Sequence, residues 1–152
     1  MKSTIIKYGT YGFFVGLIIF IIHLTFGKNL SYGTNAIMGY IAICISLSAV
    51  VFGLKHYRDK INYGSLTLRR AIIIGTLISI IVSLGIALAD FIYTKFINPD
   101  WFDNYYKMMR DAGKEDEIVE MTSFTAGLFM LSLVTVIGFV ISLISGVILK
   151  RK

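Results

Sequence analysis

Four long stretches of the chain are almost free of charge, and shorter polar segments separate them. Residues 8–26, 36–54, 71–97 and 124–149 hold no Lys or Arg in their interiors, Lys95 standing at the outer end of the third. A hydrocarbon core about 30 Å thick needs roughly 20 helical residues to cross it, and each stretch meets that length. The pattern predicts an all-α fold: an antiparallel, integral-membrane four-helix bundle making one transmembrane domain of residues 1–152. The first stretch follows Lys2 and Lys7 as an export signal would, but it is too long, and no small-x-small cleavage pattern follows it. It reads as a retained helix.

Residues 98–123 form the longest polar segment, and it has its own period. Asn98 and Pro99 give a helix-start signal, and Trp101, Phe102, Tyr105, Met108, Met109 and Ala112 then recur at helical spacing up to Gly113, a terminator. An extra amphipathic helix is therefore expected in the third loop, its aromatic face at headgroup depth. Residues 114–117 would then open the last helix, with Glu115, Asp116 and Glu117 at its positive N-terminal end.

Small residues mark where helices can approach. In lipid the hydrophobic effect gives helices no reason to associate, so close backbone contact has to supply it. The second span carries Gly39, Ala42, Ser46, Ala49 and Gly53 at alternating spacings of three and four, and the third carries Gly75, Ser79, Ser83 and Ala87 at four. Gly9, Gly12 and Gly16 on the first and Thr135, Gly138, Ser142 and Ser145 or Gly146 on the fourth complete the set. Whether one stripe serves a second copy or another subunit stays open at this level.

Composition agrees: 56% of the 152 residues are hydrophobic and 16% charged, well outside the soluble average. The net charge of +6 would suggest nucleic acid in a soluble protein; here the cations flank apolar spans, and lipid headgroups account for them. Residues 53–70 alone hold Lys55, Arg58, Lys60, Arg69 and Arg70. With Lys2, Lys7, Lys150, Arg151 and Lys152 they put ten of the fifteen cations on one side, against Lys28, Lys95, Lys107, Arg110 and Lys114 on the other. Both termini and the 53–70 stretch are accordingly expected in the cytoplasm. Tyr57 and Tyr63 read as interfacial anchors, the segment 62–65 as a turn, and Ser65 or Thr67 as a helix cap.

Candidate chemistry is sparse. The single Cys44, mid-span, excludes an internal disulfide and reads as a small buried apolar residue. Asp90 lies twenty residues past Arg70 and His23 sixteen past Lys7, about 30 and 24 Å at helical rise, so both are expected to be solvated at the outer surface. A His23–Asp90 pair is the testable alternative. The seven acidic residues within 98–123 match no calcium-loop spacing and have no His nearby, so no metal or cofactor site is assigned. No nucleophilic triad, phosphate-cradling glycine loop or zinc pattern occurs, and no enzymatic activity is expected.

The order of landmarks is distinctive. Tyr57-Arg58-Asp59 after Phe52-Gly53, then Gly64 and Leu68-Arg69-Arg70-Ala71, then Phe96-Ile97-Asn98-Pro99-Asp100 before an acidic helix, resembles a family of uncharacterised four-helix inner-membrane proteins of Bacteroidota. The resemblance covers nearly the whole chain and implies a bacterial inner-membrane location. It implies no activity. The leading functional reading is a non-enzymatic scaffold or accessory subunit, with membrane lipids and a second copy or another membrane protein as partners. Two other classes stay open: a lipid-handling protein that holds an anionic or lipid-linked phosphate on Lys55, Arg58, Lys60, Arg69 and Arg70, and a small-solute carrier active as an oligomer.

Overall fold

A computed structural model describes residues 1–150. Arg151 and Lys152, counted above among the cytoplasmic cations, lie outside the described residues. The described chain is all-helical: α1 (Lys2–Gly27), α2 (Tyr32–His56), α3 (Leu68–Ile92), α4 (Trp101–Asp111) and α5 (Ser123–Leu149). Four of these, all but α4, are long and apolar enough to cross a membrane.

The centre of the packing is α3. It lies against α1 on one side and α5 on the other, while α2 packs on α1 and reaches both α3 and α5. Small residues set each approach. Ala71 faces Gly146, Gly75 faces Ser142, Ser79 faces Gly138 and Ser83 faces Thr135, so residue numbers fall along α5 as they rise along α3. Along α1, Gly12 lies against Val82 of α3 and Ala49 of α2, and Gly16 against Ile86 and Ser46. Gly53 receives Ile78 and the ring base of Tyr8, and Ala87 closes on Gly127 through its carbonyl. The serine hydroxyls at these contacts are satisfied within their own helices: Ser46 donates to Ala42 O at 2.7 Å, Ser79 to Gly75 O at 2.8 Å and Ser142 to Gly138 O at 2.6 Å. Such back-bonding lets a polar residue be buried in an apolar interface without an unpaired donor. Around these contacts Leu47, Val50, Leu54, Ile74, Ile78, Val82, Ile86 and Val134 are fully buried. Ile18, Ile45, Leu77, Leu84, Val136 and Phe139 point outward and are exposed.

Two of the long helices end alike. After α2, residues Tyr57–Ile61 form a π-helical turn closed by Asn62 N–H donating to Tyr57 O at 2.9 Å; after α3, Tyr93–Ile97 form another, closed by Asn98 N–H to Tyr93 O at 2.8 Å. Both tyrosines are buried. Tyr57 is thus not the surface anchor expected of it, because it continues the buried stripe of Ile43, Leu47, Val50 and Leu54 on α2, whereas Tyr63 is fully exposed. Tyr63 and Gly64 both take positive φ, 51° and 83°, which reverses the chain sharply. Asn62 holds that reversal, its amide donating to Ser65 O at 2.8 Å and its carbonyl accepting from Arg70 Nη1 at 3.2 Å. Thr67 caps α3, accepting from Arg70 N–H at 3.4 Å.

The third loop differs in one respect from the expected course. Gly113, at φ 73°, ends α4 with Gly113 N–H donating to Arg110 O and Lys114 N–H to Met109 O, each at 2.9 Å, a Schellman closure. Residues 115–117 do not open the last helix. They make a separate short 3₁₀ turn, Glu115–Glu117, and Ile118 after it is extended. The Tyr106 hydroxyl accepts from Met121 N–H at 2.9 Å and donates to Val119 O at 3.4 Å, holding the segment against α4. The last helix begins only at Ser123, where Thr122 and Thr125 satisfy each other's backbone N–H at 3.2 and 2.8 Å in a capping box. Cys44 is a further correction: it is exposed on the outer face of α2, because the buried face there belongs to Ala42, Ile43, Ser46 and Leu47.

Candidate functional site

At the end of the bundle away from the 53–70 turn, α4 lies over the helix ends and covers a partly open chamber. Its inner part, about 210 Å³, has Phe20, His23 and Leu24 of α1 on one side and Tyr32, Asn35, Gly39 and Tyr40 of α2 on another. Asp90 of α3 and Met130 of α5 complete it beneath Trp101 and Tyr105 of α4. A second part of about 370 Å³ runs on under α4 to Tyr106, Met109, Glu117 and Met121. Asp90, Tyr32, Trp101, Tyr105 and Met130 line both parts.

Asp90 and His23 were expected in solvent at the outer surface, and the structure overturns this: they are 5% and 9% exposed. The distance along the helix from Arg70 was sound, but α3 and its terminal π turn continue to Ile97. That is seven residues past Asp90, or about 10 Å at helical rise. The chain then folds back as α4 over the gap. Nor do the two pair, since among the described residues the only ion pairs are Arg58–Asp59 and Lys114–Glu117. Asp90 Oδ2, His23 Nδ1 and Asn35 Oδ1 are each buried with no hydrogen-bond partner. His23 is wedged in place, its ring 5.5 Å from that of Phe20 and its Nε2 against Gly39.

The roof is aromatic. Trp101 and Tyr105 stack with centroids 4.9 Å apart, and Tyr32 approaches Tyr105 at 6.1 Å. Burial pushes the Tyr105 phenol up to about 12, with Tyr32, Tyr40 and Glu117 adding to the effect. It is a neutral hydroxyl at any physiological pH. Lys114 Nζ sits 5.3 Å over the Tyr32 ring from outside and contacts Glu117 at 3.2 Å. Sequence reasoning singled out His23 and Asp90 but not Asn35, Tyr32 or Tyr40. The signal was there: Tyr32, Asn35, Gly39 and Ile43 recur at three, four and four along α2 and share the chamber-facing stripe.

The cationic candidates are elsewhere. Arg58 is engaged by its neighbour, Nε to Asp59 Oδ1 at 2.6 Å and Nη2 to Oδ2 at 3.1 Å, and Arg70 by Asn62. Lys55, Lys60 and Arg69 are exposed. None of the five lines the chamber. Of the landmarks, Asn98, Pro99 and Asp100 make the link into α4, where Trp101 N–H donates to Asn98 O at 3.0 Å and Asp100 stands at the helix cap.

Comparison with family models matches residues 7–151 to a protein family of unknown function, DUF4199. The chain belongs to that family. Neither the curated proteins nor the solved structures give a significant match to it. For this DUF4199 chain, then, the chamber geometry is the most specific guide to a role.

Proposed function

We propose that this DUF4199 chain is an integral protein of the bacterial inner membrane, crossing it four times as an antiparallel bundle with both ends in the cytoplasm, and that it works as a non-catalytic accessory subunit by binding. The observation carrying the binding role is that Asp90 and His23 face one cavity without pairing. Two polar groups that line one cavity without engaging each other are each free to bond a guest. The membrane reading is supported by four apolar helices with exposed outer faces and by eight of the thirteen described cations lying at one end. The small-residue stripes that a scaffold would offer to a partner are occupied by contacts within the chain. At the level of Gly75 and Ser79 the interior is filled by Leu47, Val50, Ile78 and Val82.

Cysteine labelling tests the topology. In a Cys44→Ser background, Glu115→Cys is expected to react with a membrane-impermeant maleimide on intact cells, and Ser65→Cys only after permeabilisation. Reversed labelling would overturn the orientation, and a protein released to the soluble fraction without detergent would overturn the spans.

A further inference from the structure

The chamber has a chemical signature of its own. Asp90 and His23 are each more than nine-tenths buried, both line the cavity together with Asn35, and each of the three has one buried side-chain atom without a hydrogen-bond partner: Asp90 Oδ2, His23 Nδ1 and Asn35 Oδ1. The carboxylate and amide oxygens accept hydrogen bonds, and the imidazole nitrogen does so in one of its tautomers. No Lys or Arg lines either part of the chamber. An ionised Asp90 without a counter-charge would cost several kcal/mol there, and the Trp101, Tyr105 and Tyr32 rings offer π faces that attract cations and repel anions. A metal ion suits the donors less well: among the described residues no three His, Cys, Asp or Glu side chains gather to hold one, and calcium or magnesium takes six or more oxygen ligands.

We propose that the chamber beneath α4 binds an organic cation with a primary ammonium head and an apolar body, the head held by Asp90, His23 and Asn35 and the body lying along Trp101, Tyr105 and Tyr32. An ammonium group carries three N–H donors, as many as these side chains have unpartnered atoms. Tyr40, which also lines the chamber, is more than half exposed. This ligand chemistry has two sources, the ammonium headgroup of a phosphatidylethanolamine lipid and a free amphiphilic amine. The proposal deepens the binding role above and rests on it.

The chain's single tryptophan, Trp101, lies in the chamber and reports on it directly. Purified full-length protein in phosphatidylglycerol nanodiscs is titrated with octylammonium chloride while Trp101 emission is followed. A saturable change is expected, weakened at least tenfold in Asp90→Asn and several-fold in His23→Gln, both variants first checked for wild-type elution and melting. 1-Octanol, with the same tail and no charge, is expected to give no saturation. Octyltrimethylammonium, without N–H donors, is expected to bind at least several-fold more weakly than octylammonium. Saturation by octanol equal to that by octylammonium, or wild-type binding in both variants, overturns the site; equal binding of the trimethyl compound overturns the primary-ammonium assignment.

A second arm separates the sources. If the lipid is the occupant, adding phosphatidylethanolamine raises the apparent Kd for octylammonium, and native mass spectrometry retains that lipid on the wild type but not on Asp90→Asn. If the occupant is a free amine, the added lipid changes nothing and octylammonium still saturates. Either result supports the ammonium site. A failed titration with the cysteine labelling intact removes the ammonium proposal alone and leaves the four-span reading standing.

Discussion

Gly75 and Ser142, and reciprocally Gly138 and Ser79, are built so that each helix places a glycine under the other's serine. A Cβ at either glycine would meet the serine side chain, and both partners are buried, so neither can swing aside. Gly138→Val is therefore expected to cost about 1–3 kcal/mol through overpacking, read as a lower melting temperature in detergent. Tyr106→Phe removes the hydroxyl that meets both Val119 and Met121. At about 1 kcal/mol per lost hydrogen bond, faster hydrogen exchange at the Met121 amide is expected. Tyr105 gives a pH test. Its folded phenol titrates at about 12, above the ordinary 10.0, so the unfolded chain loses that proton first. The contribution is constant below about pH 10 and is lost as pH rises from about 10 to 12, which absorbance at 295 nm follows. The small-residue stripes were legible in the sequence because spacing alone defines a helix face. The burial of Asp90 was not, because counting residues from Arg70 gives depth along a helix and says nothing about what folds over its end.

At the scale of elements, α4 was legible because its aromatic period and Gly113 are strong local signals. The start of α5 was not. Three consecutive acids at Glu115, Asp116 and Glu117 look like the first turn of a helix, yet the cap is a Thr122–Thr125 pair with threonine where glutamate is commoner. Replacing each in turn distinguishes the two. Thr122→Ala is expected to cost about 1 kcal/mol and to speed exchange over residues 123–126, whereas Glu115→Gln should leave that region unchanged.

In the whole molecule, α3 carries most of the internal contact, and its two faces differ sharply. Ile78 is fully buried and Leu77 beside it is 41% exposed. Ile78→Ala is expected to cost about 2–5 kcal/mol through the cavity it leaves, and Leu77→Ala much less, measured by unfolding in mixed micelles. The four long helices could be read from composition and length, because lipid demands a long apolar run of any spanning helix. The chamber could not, since it is assembled from five helices and none of them has an unusual sequence by itself.

The π turn at Tyr93–Ile97 gives segment length an importance that residue identity there lacks. A turn closed five residues apart holds one residue more than an α turn, so cutting one residue from it would shorten the lead into α4 and carry Trp101 and Tyr105 off the opening they cover. Most side chains in that interval should therefore tolerate replacement while its residue count does not. A scan of single deletions is expected to leave Trp101 emission water-exposed for cuts within 93–97, and nearly unaltered for cuts within 63–65, at the opposite end of the bundle.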